Sequence, residues 1–239
     1  MPDRVIRMNS NENPWGPSRA ALRAISAAVE EANLYTYFLA GEMSELIGGL
    51  NNIGPEHISV GAGSAELLKM GGLLASMDEG SIVVADPTFE DLPRYAEDNG
   101  SEVIRVPVND RMETDLEAMA SAIRRDTKLV YICNPNNPIP TIVEKNALRD
   151  FALEISRDRL VFIDEAYHEF VDNPDYSSMM GLVRDGQRNV LIARTASKIH
   201  GLAGLRIGFG YAHPELIAQI DELKTGQINI LGIHAAYAS

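Results

Sequence analysis

The feature that most limits what this chain can fold into is an alternation, repeated from residue 57 onward, of short apolar runs with longer amphipathic ones. Residues 57–60, 81–85, 102–106, 128–133, 160–164, 189–194 and 205–211 are short, rich in β-branched and aromatic side chains, and read as strands. Residues 18–32, 42–50, 64–76, 89–98, 115–124, 144–156 and 214–224 carry apolar residues at helical spacing. Runs as apolar as LVYIC (129–133) and LVFID (160–164) suit a sheet covered on both faces. Strand–helix alternation makes the connections crossovers and the sheet mostly parallel. The expected fold is α/β, a three-layer α/β/α arrangement around a mostly parallel, doubly wound sheet. No repeat, low-complexity run or linker divides the 239 residues, so one domain is expected. The final stretch, INILGIHAAYAS, reads as a helix beginning.

Composition removes several function classes. A net charge of −13 argues against a nucleic-acid partner, which needs a clustered positive face. No apolar run approaches the roughly 20 residues that span a bilayer, so no membrane partner is expected. The opening MPDRVIRMNSNENP has no apolar signal core, so secretion is unsupported unless a leader has been removed. The single cysteine, Cys133, allows no internal disulfide and fits a reducing compartment, so a cytoplasmic location is expected. The histidines at 57, 168, 200, 213 and 234 make no zinc-type spacing with a cysteine, and no metal is expected.

Ligands of open α/β sheets bind beyond the carboxyl ends of the strands, and the reactive residue types collect there. Ser64, Phe89, Asn137, Asp164 and Lys198 each end or follow a predicted strand. In RTASKIHGLAGLRIG (194–208), Lys198 alone could be a solvated loop lysine. Beside it, however, Thr195 and Ser197 can donate to a phosphate and Arg206 offers a persistent bidentate cation. A partly desolvated lysine near a phosphate is suited to form an imine with an aldehyde cofactor. In VYICNPNNPIPT (130–141), the Asn-Pro pairs could be turn residues, or an Asn amide could bond a ring oxygen. In LVFIDEAYHEF (160–170), Asp164 could be a helix cap, but a buried carboxylate is costly without a partner and a protonated ring nitrogen would offset that cost. Tyr167 is placed to reach the same ligand. VGAGSAELL (60–68) runs from strand through glycines to a helix start, the arrangement that binds phosphate through free amides and the helix dipole.

Together, CNPNNP, DEAY and SK…LAGLRIG, in this order and spacing, resemble the fold-type I pyridoxal-phosphate aminotransferases of class I/II. The opening NSNENPWGPS is similar to the signature of the histidinol-phosphate aminotransferase branch. The resemblance runs to about Ile220. It implies that residues 1–239 are a cofactor-binding large domain led by an N-terminal arm (1–17), without the small C-terminal domain in which the family carries an arginine for the substrate carboxylate. It further implies pyridoxal 5'-phosphate as cofactor. Lys198 would bind its aldehyde and then move the Cα proton, and Asp164 would pair with the ring nitrogen. Asn137 and Tyr167 would bond the phenolic oxygen, and Phe89 would stack on the ring. The phosphate would lie among Ser64, the backbone of Ala65 and Glu66, Thr195, Ser197 and Arg206. Tyr35 would reach the phosphate of a neighbouring subunit, implying a homodimer with a shared site. The implied reaction is transamination of a histidinol phosphate-like or aromatic amino donor with 2-oxoglutarate. The alternatives are decarboxylation of a phosphorylated amino acid, or a truncated, non-catalytic cofactor-binding homologue. Glu66 and Glu165 are expected to be first-turn or cap acids, His168 and His200 structural, Cys133 a small core residue, and Trp15 either packed or at a substrate entrance. Ile139-Pro140 in place of Thr-Gly, Ala62 and Ala65 in place of Asn and Asp, and Thr36 in place of a proline after Tyr35 depart from the family pattern.

Overall fold

The computed structural model describes residues 8–77 and 80–239. Seven strands, β1 (Ile58–Gly61), β2 (Ser81–Asp86), β3 (Glu102–Pro107), β4 (Thr127–Cys133), β5 (Leu160–Asp164), β6 (Val190–Thr195) and β7 (Gly208–Ala212), form one sheet in the order β1-β7-β6-β5-β4-β2-β3. The pairs among β2 to β6 are parallel, and only β7 runs against its neighbours β1 and β6. The expected mostly parallel sheet is therefore present, with one reversed strand.

Helices α1 (Arg19–Ala28), α2 (Leu39–Asn51), α3 (Ser64–Ser76), α4 (Asp91–Asp98), α5 (Leu116–Ala122), α6 (Lys145–Ile155), α7 (Met180–Arg184), α8 (Pro214–Glu222) and α9 (Ile230–Tyr237) cover it. Local chemistry fixes several of their ends. Ser18 caps α1 by accepting from the Ala21 amide, Asp115 caps α5 through Ala118, and Glu144 caps α6 through Asn146 and Ala147. Pro214 opens α8, where its missing amide costs nothing.

Each central strand feeds two cores. Along β4, Leu129, Tyr131 and Cys133 pack with Leu67, Leu92 and Leu216 of α3, α4 and α8, whereas Val130 and Ile132 pack with Met119, Leu148 and Phe151 of α5 and α6. This is the predicted three-layer arrangement, and burial of each large apolar side chain contributes about 1.5–3 kcal/mol.

Two differences from the sequence reading have physical causes. The last strand begins at Gly208 because Ala203–Leu205 forms a 3-10 turn and Arg206 takes a left-handed backbone (φ 53). α7 was not anticipated, because five residues are too few to show a helical period. The topology also explains where a site can form. From β2 the chain moves outward through α4 to β3, then returns through α5 to β4 on the other side of β2. The carboxyl ends of β2 and β4 therefore border the point where the winding reverses, the usual ligand crevice of such sheets.

Candidate active site

A cavity of about 250 Å³ opens at that point. One part of its lining is built on the start of α3. The helix begins after Gly63 (φ 80), and the amides of Ser64 and Ala65 precede any intrahelical acceptor. Arg206 faces them across a close backbone approach. A Cβ on Gly63 would strike the Arg206 guanidinium, and one on Gly208 would strike the Ser64 amide. The left-handed Arg206 aims Nη1 at the Ala203 carbonyl (3.0 Å) and the Ser197 hydroxyl (3.4 Å). Thr195 Oγ1 donates to Ser197 Oγ (2.9 Å) and accepts from the Ser197 amide (3.1 Å). A helix N-terminus, two hydroxyls and a guanidinium thus converge, a donor set suited to an anion.

Asp164, the last residue of β5, lines the same cavity. It is 2% exposed. Its Oδ1 accepts from the Ala166 amide (3.0 Å) and its Oδ2 from the Tyr131 hydroxyl (3.3 Å). Burial is the main cause that pushes its carboxyl from 3.8 up to about 7; these hydrogen bonds oppose the shift, and the negative charges of Glu165 and Asp91 add to it. No helix starts at Asp164: residues 165–167 are coil and turn, and the next 3-10 turn begins at His168 after Tyr167, so Asp164 is not the cap of a helix. A cationic N–H entering the cavity would meet a carboxylate that otherwise gains only two weak partners.

The remaining groups come from four strand termini, those of β2, β4, β5 and β6. Asn134 and Asn136 are occupied in holding the β4 loop. Asn134 Oδ1 accepts from the Val143 amide (3.0 Å), while Asn136 accepts from Thr88 (3.1 Å) and donates to the Pro87 carbonyl (3.0 Å). Asn137 is left to line the cavity. Ile139-Pro140 does not displace it, because the loop closes through the Asn136 amide on the Thr141 carbonyl (2.9 Å). Phe89 and Tyr167 also line the cavity. Lys198 Nζ stands 5.4 Å from the Tyr167 ring centroid and donates to the Ser10 and Asn11 carbonyls (3.2 and 3.3 Å). An amine, a raised carboxyl, an amide and an anion cradle in one cavity fit a phosphorylated pyridine aldehyde group by group.

Residues 3–238 match the family described as aminotransferase class I and II. The chain belongs to this family. It is 40% identical over 236 residues to a histidinol-phosphate aminotransferase of Moorella thermoacetica, covering 98% of this chain and 61% of that protein. It is 36% identical to an aromatic amino acid aminotransferase of Thermobifida fusca, covering 99% and 66%. Among solved structures, the histidinol-phosphate aminotransferase of Sinorhizobium meliloti in complex with pyridoxal-5'-phosphate superposes with a TM-score of 0.88 at 27% identity, covering 96% of this chain and 62% of that one. The chain therefore spans between three fifths and two thirds of the length of these relatives.

Two predicted site residues stand outside the cavity. The Glu66 carboxylate turns back to accept from the Ala62 amide (2.6 Å), and its own amide donates to the Gly63 carbonyl (3.2 Å). This is the first-turn role expected of its side chain. Tyr35 is 77% exposed, its ring 5.5 Å from that of Tyr37. The following Thr36 ties this segment down, its amide donating to Gln227 Oε1 (2.9 Å) and its hydroxyl to the Ile228 carbonyl (2.9 Å). A proline would lack the first of these bonds.

Glu165 is a correction. It is not a cap acid but a buried ion-pair partner, 3.0 Å from Arg194, with further bonds from Ser178 (2.8 Å) and the Met179 amide (2.7 Å). His168 pairs with Glu169 (3.1 Å) and His200 with Ser239 (2.9 Å), both structural contacts. Cys133 is buried with its thiol pushed well up by desolvation, which leaves it unreactive. Trp15 is 91% exposed and lines a second cavity with Tyr167, Phe170 and Lys198. The sequence reading missed Tyr131, Asn11 and Asn13. Asn11 Nδ2 donates to the Tyr167 hydroxyl (3.0 Å), and Asn13 bonds the lysine loop. Their partners lie up to 186 positions away, beyond any local motif. Among the described residues no group of three or more side chains could hold a metal ion, and no helix is long and apolar enough to cross a membrane.

Proposed function

We propose that this chain is the cofactor-binding domain of a pyridoxal-phosphate-dependent aminotransferase acting on a histidinol phosphate-like or aromatic amino donor. The observation that carries the reading is the joint placement of Lys198, Asp164, Asn137, Tyr167 and the Ser64–Arg206 anion cradle around one cavity. The cofactor is pyridoxal 5'-phosphate. When bound, it supplies an aldehyde that takes up amines and a ring that accepts electrons from the substrate Cα.

The chain's own residues supply the rest. The amides of Ser64 and Ala65, the hydroxyls of Thr195 and Ser197, and Arg206 hold the phosphate. Asp164, ionised by a cationic partner, keeps the proton on the ring nitrogen. Asn137 and Tyr167 hold the phenolic oxygen, and Phe89 covers the ring face. Lys198 would hold the cofactor through Nζ and, as a free amine beside the substrate, would move the Cα proton; a base so placed contributes roughly 10²–10⁴-fold. The amino acceptor would be a 2-oxo acid, 2-oxoglutarate. The exposed Tyr35 segment reaches the phosphate of a second subunit, making the working unit a homodimer. The buried Cys133 thiol suits a cytoplasmic setting.

The test is to load the protein with pyridoxal phosphate, add histidinol phosphate or an aromatic amino acid with 2-oxoglutarate, and assay for glutamate. Glutamate that depends on Lys198 supports the reading. Carbon dioxide released without need of an acceptor moves it to a decarboxylase. Cofactor retention with neither product leaves a binding domain that does not turn over.

A further inference from the structure

Beyond β6 the chain leaves the sheet and returns only at Gly208, with Lys198 on this excursion. Within the loop, the Ala196 amide donates to Ile207 O (3.0 Å), Leu202 N to Ala196 O (3.1 Å) and Gly201 N to Lys198 O (3.1 Å). Around Lys198 itself, further support comes from the other end of the sequence. Half-buried Asn13 donates through Nδ2 to both the Lys198 carbonyl (3.2 Å) and the Ile199 carbonyl (2.9 Å). Its Oδ1 accepts from the Trp15 amide (3.0 Å), which closes a turn and fixes the carboxamide orientation. Nearby, Gly201 (φ 67) lets the loop and arm meet. A Cβ there would come within 2.5 Å of the Gly16 backbone. The arm also meets the far end of the lysine, where Nζ donates to the Ser10 and Asn11 carbonyls.

We infer that Asn13 is a positioning residue for Lys198, tying the N-terminal arm to the backbone of the lysine loop and so fixing the point from which Nζ enters the cavity. The inference rests on the reading that Lys198 carries the cofactor. A lysine side chain is long and flexible, so its reach is set by where its Cα is held. Displacement of a reacting group by about 1 Å can cost roughly 100-fold in rate. Had Asn13 served only to close the arm's turn, Oδ1 would suffice; the amide nitrogen on two loop carbonyls is the additional feature.

The experiment separates the two atoms. Asn13→Asp keeps an oxygen for the Trp15 amide but sets an acceptor against two carbonyl oxygens; Asn13→Ala removes both interactions. Pyridoxal phosphate is added to each protein, and the absorption band of its lysine-bound form is followed with Lys198→Ala as blank. The reaction is a condensation of Nζ with the aldehyde that releases one water. The band is expected to grow roughly tenfold or more slowly in Asn13→Asp than in wild type, with Asn13→Ala between them. Thermal midpoints should stay close to wild type. Should Asn13→Asp fail to fold, Asn13→Ala carries the test. A rate equal to wild type in whichever variant is folded overturns the inference. Absence of a Lys198-dependent band in wild type overturns instead the cofactor reading on which it rests.

Discussion

Burial lifts the Asp164 carboxyl from 3.8 to about 7, and the sign of a pH effect follows. Between those values the folded, ligand-free protein holds a proton that the unfolded chain has released. The contribution to stability is complete below the unfolded value and is lost as pH rises through about 7. Asp164→Asn should remove this slope, so the gap in unfolding free energy between wild type and variant should change by a few kcal/mol between pH 4 and 7. Urea titrations at both pH values check it, and parallel pH profiles would contradict it. Asp164 and Lys198 were legible in the sequence because each closes or follows an apolar strand inside a local motif. Tyr131, which donates to Asp164 across 33 positions, was not, because its alternation reads as one more core residue. Glu165 was misread for a related reason. Its partner Arg194 lies on the neighbouring strand, and nothing near Glu165 in sequence announces the pair.

At the scale of elements, that pair joins the end of β5 to β6 and to the segment entering α7. The Glu165 and Arg194 side chains are 1% and 13% exposed, and Arg194 also lies 5.5 Å from the Tyr211 ring centroid of β7. Removing one member of a buried, hydrogen-bonded pair strands the other, at about 3–5 kcal/mol. Glu165→Ala should lose about that much unfolding free energy by urea denaturation, while Glu165→Leu combined with Arg194→Met should recover most of it. A loss below about 1 kcal/mol, the level of an exposed pair, would contradict the assignment. Strand order was readable throughout the sheet, and every helix but the short α7 with it, because both faces are covered and the central strands are apolar runs. The start of β7 was not readable, because the break at Arg206 is imposed by its contact with Gly63 and Ala62, not by local propensity.

At the scale of the whole molecule, the rings of Tyr35, Tyr37 and Phe38 are 77%, 69% and 84% exposed on one short segment. Neighbouring exposed aromatic side chains of this size mark an interaction surface. Sedimentation equilibrium should give about twice the 26.1 kDa chain mass, and Phe38→Asp should shift the balance towards monomer and weaken cofactor retention. A monomeric wild type that keeps the cofactor would contradict the shared-site reading. On the proposed function, Lys198, and no other lysine, carries pyridoxal phosphate in the cavity at the carboxyl edge of the sheet. This is tested most directly by reducing the pyridoxal-phosphate-treated protein with borohydride and mapping the modified peptide by mass spectrometry. A single adduct on Lys198 is expected, lost in Asp164→Ala, or in Arg206→Ala at low cofactor concentration. An adduct spread over surface lysines, or none at Lys198, would contradict it.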